Sequence, residues 1–320
     1  MNLHQFRFVQ EAVRQNLNLT ETAKALHTSQ PGISKAILEL EDELGIDIFA
    51  RHGKRLRKVT EPGQRVLQSI EIILREVANL KRIGDDHARQ DTGTLSIATT
   101  HGQARYFLPE PISQLRRRFP KVSIRLHQGS PAQVAQWLLD ETADIGLATE
   151  SLSEVDGLAT LPCYEWQHAL VMPTSMPLAR DERPTLEALA AYPLVTYHPS
   201  FSGRTRIDRA FAAKGLRPEV VLEAIDADVI KTYVRLGLGV GIVSEAAVRE
   251  DPPGGDLVWR AAGHLFGRNV TRMAFKRGAY LRQFVFAFAE SLSDRLSREL
   301  IARTVAGRDG DDAPAHDPML

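Results

Sequence analysis

The chain has 320 residues, 43% of them hydrophobic, with 40 lysines and arginines against 40 aspartates and glutamates, so it can bury two or three domain cores and its overall charge gives no hint of a polyanionic partner. A single cysteine, Cys163, excludes an intrachain disulfide and a cysteine-based zinc site and suits a reducing compartment. The opening MNLHQFRFVQEAV lacks the features of a secretory signal, and no run of about 18 apolar residues could span a bilayer, so a cytoplasmic protein without a membrane partner is expected.

Leu3, Phe6, Val9, Ala12 and Val13 share one face at helical spacing and predict a helix over 3–16. Thr20 is read as the N-cap of a second helix with Ala23, Ala25 and Leu26 inward, and Thr28 and Ser29 break it. Ser29 or Gln30 caps a third helix. Pro31 occupies its first turn, Ile33, Ile37, Leu40 and Leu44 form its buried stripe, and Gly45 ends it. Three short helices with a tight turn between the second and third are a helix-turn-helix, whose last helix enters the DNA major groove by its N-terminal residues. Thr28, Ser29, Gln30, Pro31, Ser34 and Lys35 form the expected reading surface, their hydroxyl, amide and ammonium groups suiting base edges and phosphates. The next segment, IDIFARHGKRLRKVTEPGQRV, alternates around Gly53 as a hairpin and carries five cations between 51 and 58 without an acid. Such a run is often only a solvated face. Its place directly after a helix-turn-helix makes it a wing, with Arg51, Lys54, Arg55 and Arg57 expected on the phosphates.

Val66, Ile70, Ile73, Val77, Leu80 and Ile83 then repeat at nearly heptad spacing. This predicts a linker helix that pairs with its twin and places two heads on adjacent half-sites. Residues 84–93, GDDHARQDTG, read as a polar hinge. The expected boundaries are a winged helix-turn-helix over 1–60, a linker over 61–90, an effector domain over 91–306, and a disordered acidic tail over 307–320.

From Leu95 strands and helices alternate. LSIATT, VSIRLHQGS and ADIGLAT read as strands, GQARYFLPEPISQLRRRFP and PAQVAQWLLDETA as helices. A second set begins near Cys163, with HALVMP, LVTY, VVLEA and VGIVSE as strands and RTRIDRAFAAKG and DVIKTYVRLG as helices. The pattern predicts an α/β domain of two lobes, about 91–162 with 267–306 and about 163–266. Thr99, Thr100 and Gln103 lie at one strand-to-helix junction, Ser130 at another, Thr149 at a strand end, and Ser200, Ser202, Gly203 and Arg204 at a junction of the second lobe. Ligands of open α/β sheets bind outside the carboxyl ends of strands, where unpaired N–H groups attract anions. A single hydroxyl there is more often a helix cap; several around one cleft predict a site for a small anion. Gly237, Gly239 and Gly241 follow a helix and precede a strand, the reverse of a dinucleotide fingerprint, and read as a turn. No paired histidine spacing supports a metal, and no cofactor is expected. The alternative to a regulator is a solute-binding or enzymatic α/β domain with an accessory nucleic-acid-binding head.

The segments TSQPGISKAILELEDELGIDIFARHGKRL, ATTHGQARYFLP, LHQGSP, LPCYEW, YPLVTY and DADVIKTYVRLGLGVGIVSEAAV resemble the LysR-type transcriptional regulators and, within them, the CysB-like regulators of sulfur assimilation. The resemblance implies a multidomain α+β chain: a winged helix-turn-helix head, a dimerising linker helix, and a periplasmic-binding-protein-like effector domain, assembled as a homotetramer. It implies double-stranded promoter DNA and RNA polymerase as partners, no enzymatic activity, and acetylserine, sulfate or a related sulfur metabolite as effector. The effector residues it implies, together with those read above, are Thr99, Thr100, His101, Gly102, Gln103, Ser130, Thr149, Glu150, Ser202, Gly203, Arg204 and Asp226. Two depart from the family's pattern: Ser202 stands where threonine is usual, and Gly102 removes a hydroxyl donor. The loss of a hydrogen bond to a charged ligand costs roughly 1.5 to 3 kcal/mol, enough to change which ligand is preferred.

Overall fold

A computed structural model describes residues 1–53, 55–88, 91–249 and 255–307, with backbone alone at 85–88, 150 and 202. Lys54, residues 89 and 90 of the expected hinge, and the tail from 308 on lie outside the described residues. The chain divides into two compact units, Met1–His87 and a second beginning at Ala88.

The first unit opens with α1 (Leu3–Arg14), where Asn2 and Gln5 form a reciprocal capping box. It stops before residue 16 because Asn16 and Leu17 adopt positive φ. The cap of α2 (Leu19–Ala25) is Asn18, not Thr20; the Asn18 side chain accepts the Thr20 and Glu21 N–H groups. Ser29 caps α3 (Gln30–Leu44), Pro31 falls in its first turn, and Gly45 closes it in the left-handed region. Phe6, Val9, Ile33, Ile37, Leu40 and Phe49 pack into one core. Leu3, Val13 and Leu44, expected inward, are exposed, while the polar Gln5 and Glu41 are buried. An antiparallel hairpin follows, β1 (Phe49–His52) and β2 (Arg55–Val59) around Gly53. Next, α4 (Glu61–Ala88) runs straight through Gly84, so no hinge interrupts it there. Its first turns are not free for a twin. Ile70 is buried in the head core and Val66 packs against it, whereas Ile73, Leu80 and Ile83 are exposed at 39%, 68% and 46%.

The second unit begins with β3 (Gly93–Thr99), α5 (His101–Tyr106), α6 (Pro109–Arg118), β4 (Val122–Gln128), α7 (Pro131–Leu139) and β5 (Ile145–Thr149). The segment expected as one helix is therefore two. Pro109 cannot donate a backbone hydrogen bond, so it starts α6 rather than extending α5. There follow β6 (Leu158–Pro173), α8 (Leu186–Ala190), β7 (Leu194–Tyr197), α9 (Ser202–Ala213), β8 (Val220–Ala224), α10 (Ala227–Arg235) and β9 (Val240–Ser244). The remaining elements are α11 (Ala246–Arg249), β10 (Leu257–Ala261), α12 (Gly263–Phe266), β11 (Arg268–Lys276), α13 (Gln283–Ser291) and α14 (Arg298–Val305).

In the first lobe β3 pairs in parallel with β4 and β5, and β11 returns antiparallel between β5 and β6. In the second lobe β7 pairs in parallel with β8 and β9, and β6 runs antiparallel to β9 and β10. One 16-residue strand thus serves both sheets. Up to Gln167, β6 pairs with β11; from His168 it pairs with β9. The first lobe buries Leu95, Ile97, Phe275, Phe284 and Phe288; the second buries Leu170, Ile207, Phe211 and Ile242. Gly239, at φ +152°, lies where an added Cβ would stand 2.1 Å from the Pro193 carbonyl oxygen. Gly237 and Gly239 form the turn between α10 and β9 and Gly241 lies within β9, so the run is not a phosphate loop.

Candidate functional site

At the head, Thr28, Ser29, Gln30, Pro31 and Lys35 are exposed around the start of α3 and Ser34 is half-buried. The Ser29 hydroxyl already accepts the Gly32 N–H at 3.3 Å as a cap, and Lys35 Nζ lies 3.7 Å from Glu39 in an exposed pair. In the wing, Leu56 is buried and anchors β2 while Arg55, Arg57 and Lys58 stand in solvent. Arg51 corrects the expectation. Its guanidinium is 2.8 Å from Glu41, a carboxylate only 4% exposed that also accepts the Ile48 and Phe49 N–H groups. The Arg51 charge is spent inside the head, and the cations left for phosphates among the described wing residues are those of β2.

In the second unit a cavity of about 140 Å³ opens between the lobes. Thr100, Gly102 and Gln103 line it from the start of α5, Thr149 from the end of β5, and Gly203 from the first turn of α9. Gln103 is held in place: its Nε2 donates to Thr271 Oγ1 at 3.1 Å and its Oε1 accepts the Tyr164 hydroxyl. The Thr100 side chain has no capping bond, and α9 begins at Phe201 without any side-chain cap. The neighbouring α7 and α10, by contrast, are capped by Ser130 and Asp226. A wider space of about 420 Å³ adjoins the cavity across Phe201 and Ile225 and is edged by His101, Gln128 and Ser130.

Polar contacts cross from one lobe to the other. His101 Nε2 is 2.9 Å from Asp226, with its Nδ1 3.0 Å from Gln128 Oε1. The Tyr106 hydroxyl donates to Asp228 at 2.9 Å, and Arg105 Nε lies 3.3 Å from the same carboxylate. Burial and the adjoining carboxylate push the Tyr106 phenol well above its ordinary pKa. Partial burial of Asp228 works against its ionisation, but the hydrogen bonds from Tyr106 and Lys231 outweigh it and hold the carboxyl below the usual range.

Several expected effector residues have other duties. Thr99 is fully buried, does not line the cavity, and keeps an unpartnered Oγ1 among the described residues. The Ser130 hydroxyl accepts the Gln133 N–H in a capping box. Arg204 bonds Asp208 at 2.7 Å, Glu223 at 2.7 Å and the Tyr197 carbonyl at 2.9 Å, so it fastens α9 to the sheet instead of meeting an anion. Asp226 caps α10 and pairs with His101. The side chains of Glu150 and Ser202 lie outside the described residues. The sequence reading missed the rings that wall the cavity: Tyr106, Phe107, Tyr164, Trp166, Tyr197 and Phe201. Phe107 and Tyr164 stack with centroids 4.1 Å apart. Trp166 Nε1 is buried without a hydrogen-bond partner among the described residues. Such an orphaned donor is uncommon and needs an explanation. Among the described residues no helix is long and apolar enough to cross a membrane, and no cluster of three or more potential ligands could hold a metal.

Residues 3–64 match the family model described as bacterial regulatory helix-turn-helix protein, lysR family, and residues 88–297 match the LysR substrate binding domain. The HTH-type transcriptional regulator CysB of Burkholderia cenocepacia is 57% identical over 96% of this chain and 98% of that protein. The regulator SsuR of the same organism is 50% identical over 94% and 98%. Among solved structures, the cofactor-binding domain of the Cbl transcriptional regulator superposes with a TM-score of 0.64 at 45% identity, covering 67% of this chain and 93% of that one. A helix-turn-helix head followed by a two-lobed substrate-binding domain, matched over nearly the whole length by named regulators, places the chain in the LysR family of transcriptional regulators.

Proposed function

We propose that this chain controls genes of sulfur assimilation, cysteine biosynthesis or organic sulfur use, gripping promoter DNA with its head and answering to a small anion held between the lobes of its second unit. The observation that carries the effector reading is the interlobe cavity. It gathers Thr100, Gln103 and the uncapped start of α9 around one space, while the residues that could fill neighbouring roles, Ser130, Arg204 and Asp226, are already engaged. The start of a twelve-residue helix without a side-chain cap carries about half a positive charge, which favours an anion there. Acetylserine, sulfate and related sulfur metabolites are the candidates, in contact with Thr100, Gly102, Gln103, Thr149, Ser202 and Gly203.

The cavity belongs to both lobes, so a ligand that fits one lobe arrangement better than another shifts the balance between them; equal affinity for both would shift nothing. On the DNA side, Thr28, Ser29, Gln30, Pro31, Ser34 and Lys35 read the groove, with Arg55 and Arg57 on phosphates. The exposed residues Ile73, Leu80 and Ile83 of α4 would meet a second copy, and the full assembly would be a tetramer acting with RNA polymerase in the cytoplasm.

Fluorescence anisotropy with a promoter duplex at several salt concentrations tests the first half. The logarithm of the affinity should fall linearly with the logarithm of salt concentration. A flat line would remove the basic wing from the interface. A thermal-shift series with acetylserine, sulfate and thiosulfate tests the second half, since a ligand that binds only the folded state raises stability with the logarithm of its concentration over Kd.

A further inference from the structure

Resting on that reading of the interlobe cavity, we propose that Asp228, which does not line the cavity, is a positioning residue for the effector: it receives the Tyr106 hydroxyl from the other lobe and so latches α5, a wall of the cavity, against the second lobe.

The helix α5 is six residues long and supplies Gly102, Gln103 and Tyr106 to the cavity lining. Both of its ends are tied across the cleft to the start of α10. At its first residue His101 Nε2 lies 2.9 Å from Asp226, and at its last the Tyr106 hydroxyl donates to Asp228 at 2.9 Å. These bonds run between the chain's own side chains. They draw the two walls together with free energy that the effector does not have to supply.

The receiving side is organised within its own lobe. Asp226 accepts the Asp228 N–H at 2.7 Å. Lys231, buried one turn along α10, lies 3.2 Å from the Asp228 carboxylate and donates to the Ala247 carbonyl at 2.7 Å. An acceptor already held in place loses little freedom when a donor reaches it from the other lobe. Of the two donors from α5, Tyr106 dominates. The Arg105 guanidinium beside the same carboxylate is exposed, and exposed ion pairs contribute little. The Tyr106 hydroxyl is partly buried and meets a carboxylate, which makes the stronger kind of hydrogen bond. Tyr106 also takes part in both events, since its ring walls the cavity while its hydroxyl makes the latch. A ligand that needs both walls binds only the latched fraction, so losing the latch raises its apparent Kd in proportion.

The test compares Tyr106→Phe, which keeps the ring and removes only the hydroxyl, with Asp228→Ala and the double variant, all in the full-length protein. Isothermal titration with sulfate, thiosulfate and acetylserine gives the affinity, and hydrogen exchange before any anion is added gives the state of the latch. Each single variant should bind the anions about tenfold more weakly, the scale of one hydrogen bond to a charged group. Each should also exchange faster over 101–106 and 226–231, with β5 unchanged. The double variant should bind no more weakly than the single ones, because all three remove the same bond. Losses that multiply in the double variant would mean that the Tyr106 hydroxyl acts on the effector directly, and would overturn the proposal. Unchanged affinity in Tyr106→Phe would overturn it too, whatever the exchange shows, and that variant decides alone should Asp228→Ala fail to fold. Failure of all three anions to bind the wild-type protein would instead overturn the effector reading on which the proposal rests.

Discussion

Arg51 Nη2 stands 2.8 Å from the buried Glu41 carboxylate, which joins the first strand of the wing to the recognition helix. Glu41 Oε1 also accepts the Ile48 and Phe49 N–H groups at 2.9 Å each. Removing it as Glu41→Ala leaves two buried amides and a half-buried guanidinium without their acceptor. Loss of one partner from such a network costs about 3 to 5 kcal/mol. Urea unfolding of the variant should show a loss of that order in the head, and a loss under 1 kcal/mol would mean that the carboxylate is dispensable.

The exposed cations of β2 have no comparable internal duty. Arg55→Ala and Arg57→Ala should each lower the slope of log affinity against log salt by about one while leaving the order of preference among DNA sequences unchanged. Anisotropy titrations on matched and scrambled duplexes separate that outcome from a loss of sequence reading.

Gly203 sits against the interlobe strand. A Cβ at this position would stand 2.8 Å from His168 Nε2 and 3.2 Å from Trp166 Cη2. Gly203→Ala must therefore push the start of α9 away or displace both rings, at a cost of about 1 to 3 kcal/mol. A fall in the melting temperature of the second unit is expected, together with at least tenfold weaker effector binding. Unchanged affinity would take the α9 start out of the site.

His168 gives a pH dependence with a fixed sign. Burial, helped by the charge of Arg206, pushes its imidazole down from the ordinary value of 6.5 to about 3. Between those values the unfolded chain holds the extra proton and the native chain does not, so stability is full above about 6.5 and falls as pH drops towards 3. The slope from this group is at most about 1.4 kcal/mol per pH unit. Because carboxylates also titrate in this range, the measure is the difference between wild type and His168→Phe. The variant should lose less stability between pH 6 and pH 4, and parallel curves would exclude His168 as the source.

Much of the architecture is legible in the sequence because apolar spacing and punctuation agree there. Pro31 two residues after Ser29, with Gly45 beyond the last turn, delimits α3 closely. Asn18 and Thr20 offer nearly the same capping chemistry two residues apart, and only the backbone geometry selects Asn18. The seam of α4 is legible as a pattern but not as an allegiance. Val66 and Ile70 share one repeat with Leu80 and Ile83, yet the first two belong to the head core and the last two are exposed.

The cavity divides along the same line. Its hydroxyls mark themselves by standing at strand ends. Its aromatic walls come from α5, β6, β7 and the segment before α9, and a ring on a half-buried strand looks in sequence like any core residue. Arg204 looked like an anion ligand, although Asp208 one helical turn later was a legible sign of an internal partner. The Glu41 and Arg51 pair, ten positions apart across a turn, had no comparable local signature.

The passage of β6 from one sheet to the other without a break has a mechanical result. Lobes hung on a flexible tether could gape by any amount. Here Gln167 pairs with β11 and His168 with β9, so the two ladders meet at adjacent residues and relative movement is expected to take the form of twist in a stiff ribbon. An effector captured beside that ribbon would be reported as a torsional change of small amplitude, transmitted whole, with no slack to absorb it.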